Sequence, residues 1–353
     1  MLRAIVRRLL GGILLLVLLT FTAFAVASAI PQNKGCVFLD CNPPNHPTKA
    51  AMVAALHAHG YDRSVFLQYG TYIWHIVRDR SLGNSWNNIP LDATIGAALP
   101  ATVSIIVGGM LLTLLLALPL GALAALRPRT LVDRSLLSSS VVGLAVHPFV
   151  LGIGVAAMFH AFGVPRQGYC PLTTRGVAQE AHFPGQPFAL PAPGQMPVPC
   201  GGPIDWAKHL AGPWLVFALL FVPFYLRMVR TRLVTTLAER YVMTARAKGA
   251  SETRVVLRHA LRNAIGPLLP MIAIDAGTAI TACIYIETIF GLPGLGHLAV
   301  QGLSGEYFDQ IHYDMPFIVA IVLTIGVFVV VLNTLADIAT LWANPRQGKE
   351  VTP

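Results

Sequence analysis

Residues 239–270 read ERYVMTARAKGASETRVVLRHALRNAIGPLLP, a basic, helix-prone segment between two apolar runs. Arg, Ala, Leu and Met favour helices, whereas Gly249 suits a left-handed helix stop and Ser251 suits the N-cap of a new helix. The segment therefore predicts two short helices that meet at Gly249. Its position between apolar runs predicts that this helix-turn-helix element lies beneath a membrane domain.

The composition is that of a membrane protein. The chain has 353 residues, of which 55% are hydrophobic and 12% are charged, whereas about a quarter of residues are charged in soluble globular proteins. Crossing a hydrocarbon core of about 30 Å takes about 20 apolar residues. The runs that meet or approach this length are residues 9–30, 93–126, 135–165, 209–226, 263–286 and 315–336. The sequence predicts an all-α, polytopic membrane protein with six transmembrane helices.

The positions of Lys and Arg indicate the orientation of these helices. If the N-terminus is cytoplasmic, the cytoplasmic segments hold roughly twice as many Lys and Arg residues as the external loops. Residues 227–262 hold more of them than any other loop. Both termini and the 239–270 segment are therefore predicted to be cytoplasmic. Membrane topology accounts for the net charge of +9, and no nucleic-acid partner is predicted.

The first apolar run has two interpretations. Arg3, Arg7 and Arg8 precede it and Ala27-Ser28-Ala29 follows, which is also the pattern of a cleaved secretory signal. We favour a retained helix because the run is longer than the usual signal core of about 7 to 15 residues. Cleavage would leave the later topology unchanged.

The predicted spans divide the chain into four regions. These are a first transmembrane helix, an external region with interfacial helices, a core of five transmembrane helices and a cytoplasmic tail, at residues 1–30, 31–92, 93–346 and 347–353. The core includes a Pro-rich external loop, 166–208, and the cytoplasmic loop 227–264. The aromatic segment from Phe66 to Ile76 suits either a helix at the membrane interface or packing against neighbouring helices.

Four of the five cysteines lie in predicted external loops. Cys170 could bridge to Cys200 and Cys36 to Cys41, but four cysteines allow three connectivities, and free thiols remain an alternative. Cys283 lies in an apolar run. The cysteine spacings are not those of a zinc site, and the 11 histidines include no H-E-x-x-H, so no metal site is predicted.

Acidic and amide side chains in the later spans are candidates for lining a passage. A buried acid is costly in a membrane, so Asp275, Glu287 and the amide Asn333 are predicted to line a polar path or to bond to a neighbouring helix. Asp275 and Glu287 are about 18 Å apart along a helix, too far for a protease-like acid pair. No catalytic residues are predicted. The chain has no G-x-x-x-x-G-K-[ST] motif, so nucleotide energy would have to come from another polypeptide.

A family resemblance covers most of residues 60–346. Its central motifs are Thr244-Ala245-Arg246-Ala247-Lys248-Gly249 and Arg258-His259-Ala260-Leu261-Arg262-Asn263-Ala264 with Pro267. The others are Leu99-Pro100-Ala101-Thr102, Gly121-Ala122-Leu123-Ala124-Ala125, Glu287-Thr288-Ile289-Phe290, Pro293-Gly294-Leu295-Gly296, Asp314-Met315-Pro316, Asn333, Asp337 and Asn344-Pro345-Arg346. In this order they closely resemble the permease subunits of bacterial ABC importers for dipeptides and oligopeptides.

The resemblance implies a type I importer permease that crosses the bacterial inner membrane several times. It implies that a coupling helix docks on an ATPase subunit through Glu239, Tyr241, Ala245, Arg246, Lys248 and Gly249. The implied partners are a second homologous permease, two ATP-binding subunits, an external substrate-binding protein and membrane lipid. ATP and Mg would be bound by the partners, and no cofactor by this chain.

Alternatives remain at this point. Nickel is the main alternative cargo within the family, and a stand-alone channel or an intramembrane enzyme is the rival from another class. A charged helix lying on lipid headgroups is the alternative for the 239–248 segment. The chain also departs from the family pattern at Ile30-Pro31-Gln32-Asn33 and in the external segments, including 305–313. Those departures bear on how an external binding protein docks.

Overall fold

The computed structural model describes residues 2–29, 39, 47–58, 60–86, 89–162, 176–177, 199–200, 202–266, 268–304 and 314–343. Helices dominate these residues, which confirms the all-α prediction. The long helices are α1 (Leu2–Ala29), α4 (Leu91–Leu126), α7 (Gly202–Leu237), α11 (Leu268–Phe290) and α13 (Met315–Ala343). The shorter ones are α2 (Lys49–Ala58), α3 (Val65–Asp79), α5 (Leu131–Ala145), α6 (Pro148–Ala161), α8 (Arg240–Ala247), α9 (Glu252–Arg254), α10 (Leu261–Ile265) and α12 (Leu295–Ser304).

Four of the helices, α1, α4, α7 and α13, are each long and apolar enough to cross a membrane. Two further spans are bent pairs. The axes of α5 and α6 differ by 105°, and those of Gly277–Phe290 and Leu295–Leu303 by 80°. The described part of the chain therefore has four straight spans, or six if each bent pair counts as one.

The span predicted over residues 135–165 is a bent pair of helices rather than one straight helix. Its helix breaks at Val146 and His147 because a residue before proline is disfavoured in the helical region. His147 then caps α6, where its Nδ1 accepts a hydrogen bond from Phe149 N at 3.2 Å. Pro148 occupies the first helical position, which needs no backbone donor.

The centre of the fold is the pairing of α4 with α7. Small residues on α4 allow this close approach: a Cβ added at Gly121 would lie 2.8 Å from Val229 Cβ. Trp214 Nε1 on α7 donates to the Ser104 carbonyl on α4 at 2.9 Å. Helices α6 and α11 complete this core, in which Phe217 and Ile286 are fully buried.

An external module packs on the ends of α1 and α13. Asp314 precedes α13, and its carboxylate accepts from Trp86 N at 2.7 Å and from Phe317 N at 2.9 Å. Tyr69 on α3 contacts Thr20 on α1, with 2.8 Å between the hydroxyl oxygens. Tyr69 thus packs inward, as the packing interpretation predicts, whereas other apolar side chains of α3 are exposed and remain compatible with a helix at the membrane interface.

Two short strands lie near the ends of the Pro-rich loop. Gly176–Val177 pairs antiparallel with Pro199–Cys200. Cys36, Cys41 and Cys170 lie outside the described residues, and only the backbone of Cys200 is described. The predicted disulfides therefore stay predictions. Cys283 is a free, buried thiol.

Candidate coupling and transport sites

The cytoplasmic segment folds as two helical pieces that meet at Gly249, as its sequence predicts. Helix α8 ends at Ala247 with Lys248 as its C-cap, and Gly249 has a φ of +78°. Its N–H donates to the Arg246 carbonyl at 2.9 Å, and Ala250 N–H donates to the Ala245 carbonyl at 3.2 Å. A left-handed residue followed by such hydrogen bonds is the usual way to end a helix. A Cβ at Gly249 would contact nothing within 4 Å, so only backbone conformation selects glycine here.

The second piece is one continuous right-handed helical path that contains a π-helical stretch. Helix α9 leads into Val255–Ala260, which is π-helical, and then into α10. Val255 and Ala260 are fully buried and Val256 nearly so, which anchors this path against the membrane helices. Ser251 stands at the N-cap position, but its side chain makes no capping hydrogen bond. Nothing in the sequence predicted the π-helical stretch, a feature that is frequent at functional sites.

Helix α8 projects from the fold and is held by one buried side chain. Val242 is fully buried, whereas Tyr241 is 40% and Met243 54% exposed. Among the predicted coupling residues, Glu239, Lys248 and Gly249 are exposed and Ala245 is half-buried. The sequence did not single out Met243, although its flexible apolar side chain is typical of binding surfaces.

Arg246 is not a free charge on this helix. Its Nε lies 2.7 Å from Glu252 Oε1, and its second contact, to Glu252 Oε2, is 3.2 Å. The pair spans the Gly249 turn from α8 to α9. Because both side chains are exposed, the pair adds little stability, but it orients Arg246 toward the turn.

Asp275 bonds to a neighbouring helix, which was one of the two settings expected for it. Its Oδ2 accepts a hydrogen bond of 2.6 Å from the Tyr225 hydroxyl on α7. The Asp275 side chain is half-buried, and beside it α11 has an open face. That face consists of exposed residues at helical spacing: Ile274, Gly277, Thr278 and Thr281.

Glu287 bonds to a neighbouring helix, the second of the two settings expected for it, and is not exposed to an open passage. It is fully buried and accepts from Thr102 Oγ1 at 2.7 Å and from His297 N at 2.9 Å. Its carboxylate therefore caps the N-terminus of α12, where negative charge and acceptors are favourable. A Cβ at Gly294 would overlap this carboxyl group, so the approach requires glycine. Asn333, the third candidate, is half-buried on α13.

An ion pair between a buried carboxylate and a partly exposed arginine joins the cytoplasmic ends of α5 and α7. Arg230 Nε and Nη2 lie 2.6 and 2.7 Å from the two carboxylate oxygens of Asp133. The Arg129 N–H donates to the same carboxylate at 2.9 Å. Nothing in the sequence indicated this contact, because Asp133 lies 97 residues from Arg230, whose charge indicated only membrane topology.

Within the described ranges, no group of three or more His, Cys, Asp and Glu side chains is arranged to hold a metal ion. A polytopic all-α fold with an exposed helix-turn-helix in its most basic loop is the arrangement expected of a membrane transport component.

Comparison with known families identifies the transport component. Residues 117–349 match the family described as binding-protein-dependent transport system inner membrane component, and residues 1–106 match its N-terminal region. The chain belongs to this family, which confirms the resemblance found in its motifs. It is a multi-pass protein of the bacterial inner membrane and works within a binding-protein-dependent transport system.

Several relatives match the chain over nearly its whole length. A putative peptide permease protein of Brucella suis biovar 1 is 28% identical over 98% of this chain and 99% of its own length. A probable peptide ABC transporter permease protein of Sinorhizobium fredii is 27% identical over 97% and 98%. The di/tripeptide transport system permease protein DppB of Pseudomonas aeruginosa is 29% identical over 93% of each chain.

Proposed function

We propose that this chain is one of two permease subunits of an ATP-driven peptide importer and forms half of the translocation path. The names of the relatives support peptides, rather than nickel, as the cargo. The chain has no phosphate-binding loop in its sequence, so the energy comes from two partner ATPase subunits that bind ATP and Mg. An external binding protein delivers the peptide.

The observation that carries this proposal is the exposure of α8. Tyr241 and Met243 present apolar surface to the cytoplasm, and Val242 alone is buried in this helix. Aromatic residues and Met are enriched in protein interfaces, and exposed charges at Glu239 and Lys248 can select a complementary partner surface. We assign this surface to the ATPase subunit. A helix lying on lipid headgroups is the competing assignment.

Helix α11 supplies the lining of the path. In a membrane span, a face that exposes Gly277, Thr278 and Thr281 is poorly suited to lipid and well suited to water or to another helix. This face and the adjacent Asp275 are proposed to face the second permease and the passing peptide. Asn333 on α13 is a further candidate for the same lining. Glu287 instead supports the α11–α12 bend.

The chain path between the α8 surface and the α11 lining would couple ATP hydrolysis to transport. When the ATPase subunits close on ATP, they displace α8, and the turn at Gly249 passes the displacement to the helical path from Glu252 to Ile265. That path leads into α11 and therefore to the proposed lining. If the two permease subunits move in opposite directions, the path between them would open alternately to the two sides of the membrane.

Reconstitution tests the proposal. The tagged chain, purified with its partners and placed in proteoliposomes, should take up labelled di- and tripeptides only with ATP and the binding protein present. The same chain alone should neither transport nor conduct ions. Conductance by the isolated chain would support a channel, and ATP-driven uptake of nickel without peptide uptake would assign the alternative cargo.

A further inference from the structure

A cavity of about 270 Å³ lies on the external side between α1, α3 and α13. Phe24, Tyr72, Met315 and Val319 form apolar and aromatic parts of its wall, and Arg63 and His75 line it at exposed positions. The cavity is separate from α8 and from the open face of α11. Neither the family motifs nor the transport proposal assigns it a role.

Its position along the helices places it at headgroup depth. Phe24 is five residues before the end of α1, which is about 7 to 8 Å of helix. Met315 is the first residue of α13. The cavity wall therefore lies within one to two turns of the external ends of two membrane-spanning helices, where lipid phosphates and glycerol groups are found.

Arg63 provides a cation at this cavity. Gln68 Nε2 donates to the Tyr61 carbonyl at 3.1 Å and to the Arg63 carbonyl at 2.7 Å, which holds the turn before α3 in place. The nearby Asp62 contacts His57 Nδ1 at 2.9 Å. No ion pair of the Arg63 guanidinium is present among the residues that the structure describes.

Two polar atoms at the cavity wall are buried without a hydrogen-bond partner in the described part of the chain, namely Gln68 Oε1 and Tyr72 OH. Burial, together with the nearby Asp314 carboxylate, raises the pKa of Tyr72, so its phenol stays neutral and can donate. A ligand with both hydrogen-bond donors and acceptors would satisfy these atoms. Buried polar groups normally have such partners.

The outer side of α3 connects the cavity with lipid. Phe66, Leu67, Trp74 and Val77 are each more than half exposed on this helix. An amphipathic helix with such large apolar side chains lies in the membrane interface, with its apolar side toward acyl chains. The cavity is therefore bordered by a surface that itself favours lipid.

We propose that this cavity binds one phospholipid of the outer leaflet, with the phosphate on Arg63 and the upper acyl chain against Phe24, Met315 and Val319. An ester oxygen of the lipid accepts from Tyr72 OH, and a headgroup donor, such as a hydroxyl of phosphatidylglycerol, reaches Gln68 Oε1. A bound lipid of this kind joins α3 to the ends of α1 and α13. The proposal does not depend on the identity of the transported cargo.

Native mass spectrometry of the full chain in mild detergent tests this site, with palmitoyl-oleoyl phosphatidylglycerol added as the probe. The wild-type chain should retain one tightly bound lipid. Arg63→Gln should bind it roughly tenfold more weakly, because a charge-assisted contact of this kind is worth somewhat more than 1 kcal/mol. Arg78→Gln changes an exposed charge on α3 outside the cavity lining and should bind like wild type.

A second variant keeps the test decisive if Arg63→Gln folds poorly. Thr71 is exposed and lines the cavity, so Thr71→Trp should fill the mouth and abolish the bound lipid without disturbing the core. Equal lipid retention by the Arg63, Thr71 and Arg78 variants would overturn the proposal. Absence of a retained lipid from the wild-type chain, or its displacement by excess tripeptide, would overturn it as well.

Discussion

Replacing Gly249 with valine should uncouple transport from ATP hydrolysis while leaving the membrane domain folded. Gly249 has a φ of +78° and forms the turn between α8 and α9. A left-handed conformation costs residues with a Cβ roughly 1 to 2 kcal/mol, and β-branched residues fare worse than others. Because a Cβ here would meet nothing within 4 Å, the expected cost comes from backbone conformation rather than from a clash at Cβ.

The size of the effect follows from that cost. A penalty of about 1.4 kcal/mol changes the equilibrium between the native turn and other turn conformations tenfold. Gly249→Asn is the matched control, because asparagine adds a larger side chain but tolerates the left-handed region much better than valine does. The valine variant should therefore lose coupling that the asparagine variant largely keeps.

The assay compares peptide uptake with ATP hydrolysis in proteoliposomes that contain the complete complex. For Gly249→Val, we expect normal insertion and a several-fold lower ratio of peptide transported to ATP hydrolysed. Equal ratios for the wild type and the two variants would refute the reasoning. Loss of the folded membrane domain in Gly249→Val would also refute it, since the residue is exposed and distant from the core.

Three further changes test the interior. Gly294→Ala should lower the free energy of unfolding by about 1 to 3 kcal/mol, because its methyl group overlaps the buried Glu287 carboxyl group. Gly277→Ala is the control and should not lower it, because a Cβ there has no atom within 4 Å. Thermal unfolding compares the two variants. Asp275→Leu should reduce peptide uptake more than the yield of assembled complex, and loss of the complex would instead make the residue structural. Asp133→Ala should cost about 1.5 to 3 kcal/mol in unfolding free energy, because the hydrogen bonds between its carboxylate and the partly exposed Arg230 are lost. An unchanged unfolding midpoint would contradict this.

The sequence predicted the features that rest on local signals. The Gly249 turn follows from one glycine between helix-forming residues, and the spans follow from long uncharged runs. The break at His147 also had a local signal, Pro148. It was missed because a search for uncharged runs takes no account of proline.

Contacts between residues that are far apart in the sequence could not be predicted from local sequence signals. Glu287 and Thr102 are 185 residues apart, so nothing near Glu287 reveals that its carboxylate is buried under α12. An acid in an apolar run is equally compatible with a water-filled path and with a buried cap. The Arg246–Glu252 pair was closer in sequence, but its contact depends on the direction of α9 after the turn.

Photo-crosslinking from position 243 tests whether α8 docks on an ATPase subunit. A photo-reactive phenylalanine analogue in place of Met243, which is 54% exposed, would be activated in membranes that contain the whole transporter. The same analogue in place of Thr71, on the external side, is the control. We expect crosslinks to the ATPase subunit from position 243 and no crosslink to that subunit from position 71. Crosslinks from position 243 to lipid alone would contradict this docking.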